Sequence, residues 1–168
     1  MTTIAWDKTT LASDSLCIVG DTIYSPREQK IFKGLGIFAA VAIFGAVSPA
    51  RAGLAGLSSV SNPEDLWGME TSTDYGYLGV LRGTGGAWFL NGEATYQLDS
   101  PWAFGSGAEY AIAAMDHGST AVQAVKYAST RDLMTNSIIQ KYVVPTLTNA
   151  TNATNATNAP KETKGSNT

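Results

Sequence analysis

The sequence predicts an α+β domain in which two antiparallel sheets pack together with helices outside them. Three observations carry this. The hydrophobic pattern runs through strands, one helix, more strands, two helices and a closing strand. Turn signals built from Gly, Asn, Asp and Pro separate short runs rich in β-branched and aromatic residues. The 168 residues are 44% hydrophobic and 15% charged, which is enough for one sizeable core and too short for two ordinary domains.

The elements follow in chain order. Thr2 to Trp6 alternates and is β-branched, Asp7-Lys8 is a turn, and Thr10 to Asp14 is the return strand. A chain that enters a strand at residue 2 is expected to hold its N-terminus in the fold, whereas chain ends usually fray. Short strands are predicted at 16–19, 22–24 and 30–32, and a longer one at 37–44. The segment 34–50 is uncharged between Lys33 and Arg51, but it contains Gly34, Gly36, Gly45 and Pro49. Its apolar centre has the length of a buried strand, so it does not read as a membrane span. Ser48-Pro49 predicts a helix start, with Ser48 as N-cap and Pro49 in the first helical position. That helix runs to about Ser58, with Ala52, Leu54, Ala55 and Leu57 on its buried side. Asn62-Pro63 interrupts it, and 64–69 reads as a further helical turn.

Strands are predicted at 75–82 and 87–90 around Gly85-Gly86, and Asn91-Gly92 before 94–98 signals a type I′ hairpin. Trp102 to Phe104 runs into Gly105-Ser106-Gly107; helices follow at 108–115 and 120–130, and a last strand near 137–142. These elements form one domain over 1–147. The Thr-Asn-Ala repeats and polar end from Thr148 have nothing to bury, which predicts a disordered tail over 148–168.

Composition excludes several functions. A formal net charge of −3 argues against a nucleic-acid partner. The N-terminus carries neither a basic nor an apolar signal region, and the single cysteine, Cys17, forms no internal disulfide; both fit a cytoplasmic protein with no membrane partner. Cys17 reads as a small buried apolar residue. One His, His117, and one Cys make no zinc constellation, so no metal site is expected. Gly83 to Gly86 lacks the lysine and helix of a phosphate loop. The triplets at Asn149, Asn152 and Asn155 read as composition and not as glycosylation sites, and Trp67, Trp88 and Trp102 as core or subunit-interface aromatics.

Thr2 is the sharpest chemical candidate. Methionine before a threonine is readily removed, and the exposed threonine has an α-amino group that can act as base toward its own hydroxyl. A free α-amine titrates near 8, so a useful fraction can accept that proton at neutral pH. The dipeptide alone is common. However, Thr2-Thr3-Ile4-Ala5-Trp6, Leu11-Ala12-Ser13-Asp14-Ser15 and Lys30-Ile31 together resemble the opening of HslV and proteasome β subunits, which are threonine-type N-terminal-nucleophile (Ntn) hydrolases. The resemblance continues at Ala103-Phe104-Gly105-Ser106-Gly107-Ala108-Glu109-Tyr110-Ala111, and more loosely over Ala124 to Asn136.

The resemblance implies a four-layer αββα sandwich and amide-bond hydrolysis through a Thr2 acyl-enzyme. Asp14 and Lys30 take the places of the family's activating pair. A nearby ammonium would lower the amine pKa, and the carboxylate would hold that ammonium charged and oriented. Ser106 takes the place of the serine that contacts the amine. Asp132 and Thr135 are supporting candidates, in a helix that ends in an Asp and a Thr-Asn. One departure concerns the oxyanion hole, which the family builds from a glycine N–H. Ile43 falls at that position and Gly45 lies two residues later, so either Gly45 serves or the hole is altered.

The resemblance further implies a polypeptide substrate, a homo-oligomeric ring, an ATPase partner and no required cofactor. It allows a structural cation near Asp132 and Thr135, and a phage origin. Two other readings stay open: a catalytically silent scaffold or virion-associated protein on the same fold, and an amidase acting on a small molecule.

Overall fold

The computed structural model describes residues 2–69, 72–92 and 94–145, so the tail expected at 148–168 lies outside the described residues. The chain runs β1 (Thr3–Trp6), β2 (Thr10–Ser13), β3 (Cys17–Val19), β4 (Thr22–Ser25), β5 (Ile31–Leu35) and β6 (Phe38–Gly45). Then come α1 (Val47–Ser58), a 3-10 helix (Pro63–Gly68), β7 (Tyr75–Leu81), β8 (Ala87–Asn91), β9 (Ala94–Leu98) and β10 (Trp102–Gly105). The helices α2 (Ala108–Asp116) and α3 (Ala121–Ala128) precede β11 (Gln140–Val143). The fold is α+β, and the strands pair antiparallel.

Three sheets form: β10-β1-β2-β11, the small β3-β4 pair, and β5-β6-β7-β8-β9. Period-two alternation then sorts the side chains into three apolar clusters. Ile4 and Trp6 of β1 meet Ala40, Ala42, Leu78 and Val80 of the five-stranded sheet. Ala5, between them in sequence, packs on the other side with Ala111, Ala121, Ala124 and Ala128 of α2 and α3. Phe38, Val41, Ile43 and Tyr77 pack with Leu54 and Leu57 of α1. The contact between β1–β2 and the two helices is mostly alanine, with Val125 among them, and these small side chains let the layers approach closely.

Several boundaries differ from expectation. α1 starts at Val47 after Ala46, and Ala46 makes no side-chain cap, so Ser48 and Pro49 sit inside the first turn. Proline is tolerated there because first-turn N–H groups have no partner within the helix. The buried face of α1 is Ala50, Leu54 and Leu57, at helical spacing, while Ala52 and Ala55 are exposed. The β8–β9 hairpin pairs Asn91 with Ala94, which moves the corner one residue on, to Gly92 and a position outside the described residues. α3 is capped by Thr120 through a capping box with Gln123 and stops at Ala128, so Asp132 and Thr135 lie on a loop instead of a helix end. Trp88 is buried, whereas Trp67 and Trp102 are 63% and 42% exposed. No helix among the described residues is long and apolar enough to cross a membrane.

Candidate active site

β1 lies between β10 and β2, and this position brings distant residues to its first turn of chain. In the register, Thr3 is opposite Gly105 and Ile4 is opposite Ser13. Gly105 has φ +96°, and a Cβ there would sit 1.5 Å from the Thr2 carbonyl oxygen. Only glycine allows β10 to approach Thr2 so closely. Ser106 N–H donates to that same carbonyl at 3.2 Å.

Asp14 and Lys30 are both buried, and Lys30 Nζ donates to Asp14 Oδ1 at 2.8 Å. Thr3 N–H donates to the same oxygen at 2.8 Å, and Leu16 N–H donates to Oδ2 at 2.8 Å. Burial lowers the Lys30 pKa from the ordinary lysine range, with the Asp14 carboxylate opposing the shift. Thr2 is buried, and its Oγ1 is one of two buried side-chain polar atoms without a hydrogen-bond partner among the described residues; the other is Trp88 Nε1.

A second cluster lies on the other side of Thr3. Ser106 Oγ and Thr135 Oγ1 each donate to Asp132 Oδ2 at 2.6 Å, and Met134 N–H donates to Oδ1 at 3.0 Å. Burial alone would raise the Asp132 pKa; these bonds outweigh it and hold the carboxyl below the usual range. Most of its acceptor directions are thereby taken, which leaves Asp132 a poor ligand for a cation. Among the described residues no group of three or more His, Cys, Asp or Glu side chains could hold a metal ion.

Ile43 is fully buried in the cluster beneath α1, and its N–H donates to Lys30 O at 2.9 Å. Its side chain therefore belongs to the core. Gly45 is exposed, has φ +78° and lines a cleft of about 530 Å³. The cleft also takes Cys17, Val19 and Tyr24 from the β3–β4 pair, and Glu28, which forms an ion pair with Arg51. His117 sits apart at the end of α2, exposed, with Nδ1 against Ala113 O at 2.8 Å.

Sequence reading did not single out three residues that build this site. Gln140 Oε1 accepts from Lys30 N–H at 2.9 Å and Ile31 N–H at 3.1 Å, and its Nε2 donates to Ser15 Oγ and Glu28 O. Asn136 accepts from Ser15 N–H at 3.1 Å and donates to Pro26 O at 2.8 Å. Thr3 joins the two clusters. Thr3 shows in the sequence only as a strand residue and Asn136 only as the Asn of the Thr-Asn pair, while Gln140 carries no local signal.

The chain has an HslV- and proteasome-like fold. The solved structures that match include Thiobacillus denitrificans BPH, with a TM-score of 0.63 and 18% identity over 85% of this chain and 96% of that one. BPH in complex with epoxomicin matches with a TM-score of 0.64 and 18% identity over 85% and 97% of the two chains. Eukaryotic HslV from Trypanosoma brucei matches with a TM-score of 0.61 and 13% identity over 87% and 100%. At these identities the likeness is one of fold. No family model and no curated protein matches the sequence.

Proposed function

We propose that this chain is a threonine-type peptidase whose nucleophile is Thr2 after Met1 is removed. The observation that carries the reading is the buried Thr2 Oγ1, which has no hydrogen-bond partner among the described residues and lies next to the residue whose amide shares an Asp14 oxygen with Lys30. An unsatisfied buried hydroxyl costs about 1–3 kcal/mol, a cost that proteins retain where the atom has a task.

In the proposed reaction Thr2 Oγ1 attacks a substrate carbonyl carbon while the Thr2 α-amine takes its proton. The C–N bond then breaks, that proton passes to the leaving amine, and water hydrolyses the ester. The Lys30 ammonium, held by Asp14, lowers the pKa of the amine and polarises the hydroxyl. Ser106 positions the amine, with Asp132 and Thr135 behind it. Gly45 is the favoured oxyanion donor, since the Ile43 N–H is already bonded to Lys30 O.

The three apolar clusters support the four-layer αββα arrangement. The exposed Trp67 and Trp102 support a homo-oligomeric ring, in which a polypeptide substrate delivered by an ATPase would be cut in the cytoplasm. The occupied Ile43 N–H favours a second reading, a silent scaffold that keeps the fold without an oxyanion hole.

Intact mass before and after epoxomicin, the ligand bound by BPH, separates the two. The expected outcome is loss of Met1 and a single adduct that Thr2→Ala does not form. A retained Met1, or a processed terminus that stays unlabelled, would count against the peptidase and favour the scaffold.

A further inference from the structure

We infer that Thr3 is the positioning residue that joins the two halves of the candidate site, its hydroxyl completing a one-way chain of hydrogen bonds that ends on Asp132. The inference rests on the peptidase reading for its consequence, and on hydrogen-bond accounting for its substance. Thr3 is fully buried. Its main chain faces Asp14: the Thr3 N–H donates to Oδ1 at 2.8 Å and the Thr3 carbonyl accepts from Asp14 N–H at 3.1 Å. Its hydroxyl faces the other way, 2.5 Å from Thr135 Oγ1 and 3.0 Å from the Gly107 nitrogen.

Each hydroxyl has one proton, and an ionised carboxylate has none to give. Asp132 Oδ2 therefore receives the protons of both Thr135 and Ser106. Thr135, having given its proton to Asp132, can only accept from Thr3. Thr3, giving its proton to Thr135, can only accept from Gly107 N–H. One arrangement satisfies every group: Gly107 N–H to Thr3, Thr3 to Thr135, Thr135 to Asp132, and Ser106 to Asp132.

The consequence concerns Ser106. Its proton is committed to Asp132, so toward an α-amine at Thr2 it is an acceptor only. It can then take an amine N–H and leave the amine lone pair for the Thr2 hydroxyl. Gly107 seals the arrangement sterically, since a Cβ there would lie 2.6 Å from Thr3 Oγ1 and 3.0 Å from Thr135 Oγ1.

Three charged centres act on this chain of hydroxyls among those described. Asp132 lies at one end, the charge of the N-terminal amino group helps to lower the Asp132 pKa, and the Asp14–Lys30 pair lies behind Thr3. The Arg131 guanidinium is turned onto the Tyr127 ring, 5.7 Å from its centroid.

The test compares Thr3→Val, which keeps the branched shape and loses the hydroxyl, with Thr3→Ser, which keeps the hydroxyl. Two readouts are taken: the pH dependence of epoxomicin labelling, and the carbon NMR titration of the Asp132 carboxyl. In Thr3→Val the Thr135 hydroxyl loses the bond that orients it and becomes a weaker donor to Asp132, so the Asp132 midpoint moves up, the acidic limb of labelling moves up with it, and labelling at neutral pH slows. Thr3→Ser stays close to wild type. An unchanged pH profile and midpoint in Thr3→Val would overturn the inference. A wild type that does not label refutes the peptidase reading and with it the role of Ser106 toward an amine; the titration then decides the hydroxyl chain by itself. Should Thr3→Val not fold, Thr3→Ala removes the same hydroxyl without a second γ-methyl to place, and an unshifted Asp132 midpoint there would also overturn it.

Discussion

Asp14 and Lys30 show at the scale of single residues why a buried ion pair is not a simple source of stability. Removing either charge from water costs several kcal/mol, and the mutual attraction returns that cost only when the remaining polar atoms are also satisfied. Here the two members are not equivalent. Without Lys30, Asp14 still accepts from Thr3 and Leu16 N–H. Without Asp14, Lys30 loses its carboxylate and two amides lose their acceptor. Asp14→Ala is therefore expected to destabilise by about 4–5 kcal/mol and Lys30→Met by about 3 kcal/mol. Urea unfolding of both variants gives the order, and a larger loss for Lys30→Met would mean that the two amides find other acceptors. Asp14, Lys30 and Ser106 were legible in the sequence because their residue types and separations carry the chemistry. Thr3 was legible only as a strand residue. Its role depends on which loop meets its hydroxyl, and that is decided by residues more than a hundred positions away.

Single side chains also decide how the secondary-structure elements meet. Asp7 follows β1, and its Oδ1 accepts from Thr9 N–H, Thr9 Oγ1 and Thr10 N–H, closing the tight turn in which Lys8 has φ +75°. Its Oδ2 accepts from Ala121 N–H at 2.7 Å, at the start of α3, where unpaired N–H groups favour a negative charge. Burial would raise the Asp7 pKa, but these bonds prevail and hold it below that of an ordinary aspartate. A carboxyl with a depressed folded pKa contributes stability above its unfolded value, about 4, and loses it as pH falls through the folded value. Asp7→Asn is thus expected to melt below wild type at pH 7, with the gap closing as pH falls below about 4. Thermal melts across that range check this; a gap that stays constant would mean the carboxylate charge plays no part. The Asp7-Lys8 turn was readable from sequence, but the reach of Asp7 to α3 was not. The same limit applies to the start of α1. Ser48-Pro49 matches a local capping rule, yet Ala46 N–H finds Asp74 O in the loop before β7, and that contact starts α1 earlier.

For the molecule as a whole, antiparallel sheets with outer helices could be read from the order of the elements, because the periodicity of each segment reports which face is buried. What fixes the two main sheets against each other at the Lys30 edge could not, since there the apolar contact is supplemented by polar side chains that have no period. Gln140 is the main example. Its strand belongs to the first sheet, where it lies opposite Ser13. Its side chain crosses to the start of the other sheet, accepting from Lys30 and Ile31 N–H and donating to Ser15 Oγ and Glu28 O. One amide group thus meets its full bonding capacity on segments that share no backbone ladder. The position of Lys30 beside Asp14 consequently depends on how the sheets dock. Gln140→Met preserves length and apolar contact but leaves two amides and a carbonyl to water or to nothing. A half-buried site lets water recover part of that loss, so the expected cost is about 2 kcal/mol. The more specific expectation is kinetic. Hydrogen exchange at the Lys30 and Ile31 amides speeds up by at least about tenfold, while exchange in β7 and β8 tracks the global stability change alone. Acceleration confined to residues 30 and 31 would identify Gln140 as the strut that fixes the lysine between the sheets, and uniform acceleration would make it an ordinary contributor to stability.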